Sequence, residues 1–456
     1  MKKFFLFLLL CGWIGILQAH QQQALKRFLS TDGLQAASVG ISMRSLADGK
    51  VVLNHCAETA LTPASVLKLL PTWFALQSKG EEFCFQTTLG YTGEIKDSVL
   101  YGDLVIIAGG DPTLDSRYFP QRTFLKEVIS TLQKQGILRI EGKIRVEGAI
   151  RGETIPGSWL WEDISNYYGA LYLPFNYRDN LFTIRFQTGI PGSQAQLLSV
   201  VPELPGIEIR NQVKAGEENK KDAWIYGGPY SEVLVVQGSL PPHQSSVNVR
   251  GVLHDPASVF IAELKAELQQ NNIQVEEQFL EEGEVHDLLT FRSPSLSEIV
   301  YHTNKVSVNL FAEALGNVIN EKEGVVAIKE QLEQMGIDVS GMILEDVCGL
   351  SLKNAVPAQL FTDLLVYIAP SSSGVFLHSL PEGGKDGGLN GYCVAAPKLR
   401  GRLRAKTGSM SGVRCLSGYL MRQNGSRIAF TILVNHYTCS VSQLQKAIGE
   451  FLTAFL

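Results

Sequence analysis

The stretch LTPASVLKLL, Leu61–Leu70, places a serine and, three residues later, a lysine inside an apolar run. On a helix, residues i and i+3 share a face with Cβ atoms about 5–6 Å apart, so the Ser65 hydroxyl and the Lys68 amine can meet. Such a pair has the chemistry of a nucleophile beside a base. The letters S-x-x-K are common, and taken alone they describe a helix start followed by a surface lysine. The neighbours of Lys68 weaken that plain reading. Val66, Leu67, Leu69 and Leu70 would strip water from the amine and disfavour its charged form, as a base requires.

Two further groups follow along the chain. Ser307-Val308-Asn309 lies between the helical patterns SEIV, Ser297–Val300, and LFAEAL, Leu310–Leu315, where a short connection can present side chains to a cleft. Ser246-Val247-Asn248 repeats those letters behind the turn-like Pro241-Pro242-His243, so only context selects Ser307. Lys406-Thr407-Gly408-Ser409 follows the strand-like RLRAK, Arg402–Lys406. A glycine at a strand edge admits another backbone, and a lysine there can hold a carboxylate or tune a neighbouring amine. Alone, this group reads as a strand end and a polar turn.

In this order S-x-x-K, S-x-N and K-T-G form a signature of penicillin-binding proteins and class A β-lactamases. More narrowly, the chain resembles the D-alanyl-D-alanine carboxypeptidase/endopeptidase family, class C of the low-molecular-mass penicillin-binding proteins. The resemblance is carried by PASVLK (Pro63–Lys68), GDLV (Gly102–Val105), GGDPTL (Gly109–Leu114), WLWED (Trp159–Asp163) and YYGA (Tyr167–Ala170). It continues through His254-Asp255-Pro256, NKVSVNLFAEAL (Asn304–Leu315), DGGL (Asp386–Leu389), RAKTG (Arg404–Gly408) and Ser411-Gly412-Val413. These stretches span nearly the whole chain after its first residues.

The resemblance implies an α/β (α+β) serine transpeptidase fold, an antiparallel sheet with helices on both faces, and a large mixed insertion between S-x-x-K and S-x-N. It implies acyl transfer on peptidoglycan stem peptides, with β-lactam antibiotics as covalent inhibitors and neither cofactor nor metal. Ser65 would be the nucleophile, Lys68 the base and Ser307 a proton relay. Asn309 would orient the substrate amide, and Lys406 would repel a proton from Lys68 and help bind the terminal carboxylate. Thr407, Gly408 and Ser409 would bind substrate, and the backbone N–H groups of Ser65 and Ser409 would form the oxyanion hole. Asp163 and Tyr168 match positions that help recognise a diaminopimelyl-type side chain. The chain departs from the family at DVCGLSL, Asp346–Leu352, where D-G-S-G-L-S-R is usual. Leu352 replaces the arginine that would hold that side chain's carboxylate, and the next residue, Lys353, lacks the bidentate fork. A β-lactamase, a related esterase and an inactive wall-binding scaffold share parts of the pattern.

The chain that must position these groups has 456 residues, 45% of them apolar and 19% charged, which favours a globular protein of two or more domains. Its net charge of −5 gives no basic footprint for nucleic acid. The opening MKKFFLFLLLCGWIGILQA has the layout of a signal peptide over 1–19, with a cut after Ala19, which points to the periplasm of a bacterium. Cys11 is a poor match to a lipoprotein box, and peripheral membrane contact and oligomeric state stay open. Cys56, Cys84, Cys348, Cys393, Cys415 and Cys439 are too widely spaced to suggest a disulfide framework or a zinc site, and no H-E-x-x-H occurs. Strands around Ala47-Asp48-Gly49, strands at 402–406 and 428–434, and a C-terminal amphipathic helix place both chain ends in one domain. The expected organisation is a penicillin-binding domain of 20–88 and 290–456, interrupted at 89–289 by an insertion of two nested subdomains.

Overall fold

The computed structural model describes residues 19–148, 155–279, 283–320, 323–371 and 374–456. The body of the expected leader, with Cys11, lies outside them. Among the described residues, no helix is long and apolar enough to cross a membrane.

The chain divides into two compact units. The first comprises the described residues up to Ser78, then Val300–Val308 and Gly324–Leu456. Its frame is a five-stranded antiparallel sheet. The strands are β1 (Ser38–Ser45), β2 (Val51–His55), β3 (Leu403–Met410), β4 (Val413–Met421) and β5 (Arg427–Asn435), in the order β3-β4-β5-β1-β2. The N-terminal hairpin therefore pairs with strands from the far end of the chain, as the alternating patterns at both ends suggested.

Side chains alternate across a strand, and this sheet uses both faces. Val39, Ile41, Met43, Leu416, Leu420, Ile428, Phe430, Ile432 and Val434 point to one apolar core. That core is closed by Leu444, Ile448, Phe451 and Leu452 of the C-terminal helix (Val441–Thr453), and by Leu25 and Phe28 of a helix over 19–29. A capping box starts the C-terminal helix, with Ser440 and Gln443 satisfying each other's backbone N–H groups. The opposite face carries Ser42, Ser417, Thr431 and Tyr419. There a helix over Ala358–Ser371 is pinned by Thr362 Oγ1, which donates to Thr431 Oγ1 at 3.0 Å, and by Tyr419 Oη, which donates to the Leu365 carbonyl at 2.8 Å.

The helix expected to open at Pro63 is two elements. Ala64–Lys68 is a 3₁₀ turn, and an α-helix follows over Leu69–Lys79. Three residues per 3₁₀ turn bring i and i+3 into eclipse, which sets Lys68 directly over Ser65. The K-T-G-S group is likewise not a turn. It lies inside β3, which runs on to Met410.

The second unit comprises Lys79–Ile299 and Asn309–Glu323, wider than the expected insertion of 89–289. The strand Gln86–Tyr91 pairs antiparallel with His286–Arg292, so the segments entering and leaving this unit are joined along one ladder. Two apolar clusters fill it. One gathers Leu100, Leu104, Phe124, Leu132, Tyr177, Phe260 and Leu264, and the other Phe182, Ile184, Phe186, Val213, Val236 and Val249. In the first, the helix Pro256–Gln270 begins with Asp255 accepting from the Ser258 N–H.

Thr431 links Thr362 to Ser417 Oγ, 2.7 Å away. Thr431→Val should cost the first unit about 1–3 kcal/mol, because two buried hydroxyls lose a partner. Urea denaturation checks this, and a loss near zero would mean that the hydroxyls re-pair.

Candidate active site

In the first unit the segment entering the serine turn is clamped before the turn begins. Asn435 at the end of β5 accepts from the Thr62 N–H at 2.8 Å and donates to the Thr62 carbonyl at 3.0 Å. Ala64 then adopts a left-handed backbone, φ 46°, which is uncommon without a glycine. Two glycines allow neighbouring backbone to close on this turn. A Cβ on Gly408 of β3 would lie 2.5 Å from the Pro63 carbonyl oxygen, and one on Gly349 would lie 2.1 Å from the Ala64 carbonyl oxygen. Neither position has room for a side chain.

Lys68 has no exposed surface. Its Nζ donates to Ser65 Oγ at 3.0 Å and to the Cys348 carbonyl at 2.5 Å. The loop presenting that carbonyl is the segment that departs from the family pattern. Buried Asp346 organises it by accepting from the N–H groups of Gly349, at 2.7 Å, and Ser351, at 2.6 Å, and from Asn354 Nδ2, at 2.9 Å.

Ser307 follows the helix Leu296–Val306 and also has a left-handed backbone, φ 64°. The helix is fixed by Asn304 Nδ2 donating to Ser379 Oγ at 2.8 Å, and by Lys305 Nζ on Asp386 Oδ2 at 2.8 Å. The Ser307 hydroxyl accepts from Lys406 Nζ at 2.9 Å, and Lys406 also donates to the Thr407 carbonyl at 2.9 Å. Lys406 is almost wholly buried. Burial first, and then the charge of Lys68, hold its ammonium well below the ordinary lysine range. Alternation along β3 sends Lys406 to one face, and Thr407 with Ser409 to the other. Exposed Ser409 accepts a hydrogen bond from Arg414 Nη1.

Ser65, Lys68, Ser307, Lys406, Thr407, Gly408 and Ser409 thus all lie in the first unit. Asn309, Asp163 and Tyr168 belong to the second, where Asn309 Nδ2 donates to the Tyr168 carbonyl at 2.7 Å. The Tyr168 hydroxyl and the Asp163 carboxylate share a hydrogen bond. Burial, reinforced by that carboxylate, pushes the Tyr168 phenol up, while burial raises Asp163 against the opposing hydrogen bond.

Sequence reasoning did not find Asp346, the Cys348 carbonyl or Gly349. A backbone acceptor leaves no side-chain signature, but the spacing of Asp346 and Asn354 around a glycine was a readable loop signal. Lys353 is exposed. The six described cysteines are free thiols.

The arrangement places a hydroxyl beside a buried amine, with a second hydroxyl–amine pair, Ser307 and Lys406, in the same unit. Comparison with known proteins agrees with that chemistry. The model of the D-Ala-D-Ala carboxypeptidase 3 (S13) family matches residues 21–455. The D-alanyl-D-alanine carboxypeptidase DacB of Haemophilus influenzae is 24% identical over 430 residues, covering 89% of this chain and 86% of that protein. A D-alanyl-D-alanine carboxypeptidase of Actinomadura sp. is 26% identical over 450 residues, covering 90% and 80%. The crystal structure of penicillin binding protein 4 from Haemophilus influenzae superposes with a TM-score of 0.79 at 22% identity, covering 94% of this chain and 99% of that one. A structure of that protein complexed with a β-lactam gives 0.73 at 22% identity, covering 94% and 98%. These likenesses show the fold.

Because Lys406 is deprotonated more readily in the fold, the unfolded chain binds more protons below its ordinary pKa of 10.5. Stability contributed here is therefore complete above that value and is lost as pH falls toward the lowered one. Lys406→Met removes the penalty. Its melting temperature should exceed that of the wild type near neutral pH, with the gap closing as pH approaches 10.5. A gap independent of pH in calorimetry would contradict this.

Proposed function

The chain belongs to the D-Ala-D-Ala carboxypeptidase 3 (S13) family and is a serine peptidase acting on D-Ala-D-Ala ends, and we propose that Ser65 is its nucleophile. The observation that carries this reading is Lys68 Nζ at 3.0 Å from Ser65 Oγ, with no exposed surface on the lysine. An amine so placed acts as a base only in its neutral form. The charge of Lys68 adds to burial in disfavouring the ammonium form of Lys406.

In the proposed reaction, Ser65 Oγ attacks the carbonyl of the penultimate D-alanine of a peptidoglycan stem peptide while Lys68 takes its proton. The backbone N–H groups of Ser65 and Ser409 receive the developing oxyanion. As the C–N bond breaks, Ser307, hydrogen-bonded to Lys406, passes its proton to the leaving D-alanine and regains one from protonated Lys68, which returns to its neutral form. Water then attacks the acyl-enzyme while Lys68 takes its proton, and that proton passes to Ser65 Oγ as the ester bond breaks, so the shortened peptide leaves with Ser65 and neutral Lys68 regenerated. If the acyl donor is a cross-link, the same steps constitute endopeptidase action.

Thr407 and Gly408 line the substrate's path along β3. The family resemblance assigns Asn309 to the substrate amide, and Asp163 and Tyr168 to recognition of the stem-peptide side chain. The first unit is then the penicillin-binding domain and the second its insertion. A penicillin would acylate Ser65 by the same attack on its strained amide. The leader-like N-terminus supports action in the periplasm.

Incubation with fluorescent penicillin, read by gel and intact mass, tests this proposal. Wild type should carry one adduct, and correctly folded Ser65→Ala none. Lys68→Met should slow acylation by roughly 10²–10⁴-fold, the usual contribution of a positioned base. An adduct on Ser65→Ala would remove Ser65 as the nucleophile. A folded wild type that stays unlabelled would favour a wall-binding scaffold.

A further inference from the structure

Ser307 and Lys406 meet at 2.9 Å, although one follows a helix and the other lies on a strand 99 residues further on. A segment between them in sequence, 379–386 of the first unit, reaches both elements. Toward the helix Leu296–Val306, Ser379 Oγ accepts from Asn304 Nδ2 at 2.8 Å. The Leu380 carbonyl and Asp386 Oδ2 accept from Lys305 Nζ at 2.9 and 2.8 Å. Toward β3, the Ala405 N–H donates to the Pro381 carbonyl at 3.0 Å, and the Gly383 N–H donates to the Leu403 carbonyl at 2.8 Å. Arg404 Nη2 donates to Glu382 Oε2 at 2.6 Å. Within the segment, the Glu382 N–H donates to Asp386 Oδ2 at 2.7 Å.

One carboxylate oxygen therefore joins the two halves of this bracket. Lys305 stands two residues before Ser307, and Arg404 stands two residues before Lys406 on the same face of β3. The plain alternative is an ordinary surface ion pair, which contributes little. That description fits Lys385 on Glu382, with the lysine side chain 73% exposed. It does not fit Lys305, whose side chain is 10% exposed, because an ammonium withdrawn from water needs an anion and further acceptors to offset the loss. Burial acts to raise the Asp386 carboxyl, but the hydrogen bond from Lys305 opposes it, and the group stays below the ordinary carboxylate range. Asp386 is thus ionised at neutral pH.

Resting on the acyl-transfer reading above, we infer that Asp386 is a positioning residue: by gathering Lys305 and the Glu382–Arg404 pair at one carboxylate, it sets the Ser307 hydroxyl against Lys406. Its side-chain hydrogen bonds go to Lys305 and to the Glu382 N–H, so it acts on the reaction only through the backbone that carries the pair. Without it the Ser307–Lys406 spacing loses its brace, and a displacement of about 1 Å in such a relay can cost on the order of 10²-fold in rate. The path of the substrate along Thr407 and Gly408 does not draw on the bracket, so the loss falls on rate and spares affinity.

The test is penicillin acylation of the full chain over a range of drug concentrations, which separates the limiting rate from the half-saturating concentration, with thermal melts beside it. Asp386→Asn keeps an acceptor but loses the charge, and Asp386→Ala loses both. The limiting rate per labelled molecule should fall by roughly 10–10²-fold in Asp386→Ala and by less in Asp386→Asn, with half-saturation unchanged. Lys305→Met should match Asp386→Ala, and the double variant should fall no further than either single one, because both break the same link. Thr431→Val, destabilised outside this segment, should keep the wild-type rate. Should Asp386→Ala fail to fold, Arg404→Met breaks the other end of the bracket and carries the same expectation. A wild-type limiting rate with only a lower melting temperature would make the bracket merely structural and overturn the inference. A loss confined to half-saturation, or equal slowing in Thr431→Val, would overturn it too, and each of these leaves the acyl-enzyme chemistry intact. A folded wild type that takes up no penicillin would overturn both.

Discussion

Two lysine ammonium groups removed from water in one protein unit are the constraint on which the rest of the site depends. Desolvation and mutual repulsion both disfavour the doubly charged state. The acceptors supplied to them include hydroxyls and backbone carbonyls: Ser65 Oγ and Cys348 O for Lys68, and Ser307 Oγ and Thr407 O for Lys406. Each of these acceptors orients the amine it holds.

Supplying those acceptors dictates much of the local backbone. The Cys348 carbonyl reaches Lys68 because Asp346 gathers the loop around itself. The serine turn sits against β3 and against this loop because Gly408 and Gly349 lack a Cβ. Ala64 and Ser307 accept left-handed backbones, each costing of order 1–3 kcal/mol, and apolar packing behind the sheet offsets that strain. Ala64 and Ser307 are among several non-glycine residues of the described chain held in this conformation.

The three motifs proposed for acyl transfer keep the letters of the family resemblance, whereas Asp346–Leu352 departs from them, with Leu352 where the resemblance leads one to expect an arginine. That departure leaves the side-chain pairs Ser65–Lys68 and Ser307–Lys406 in place. Rate and selection draw on different contacts, so one can vary while the other is kept.

The sequence by itself determined the ordered motifs, the sheet strands at both chain ends and the helices with strong apolar periodicity, because each leaves a local signature of letters and period. It could not give the 3₁₀ geometry of Ala64–Lys68, since 3.0 and 3.6 residues per turn are indistinguishable over five residues. Nor could it reveal that K-T-G-S continues a strand, because Gly408 resembles a turn residue until the backbone pressed against it is known. The insertion's limits were displaced because the ladder joining its ends is a long-range pairing. Tertiary structure alone decided the placement of the Cys348 carbonyl, Asp346 and Arg414. A backbone carbonyl has no side-chain code, and the partner of a charge is set by packing across residues distant in the chain.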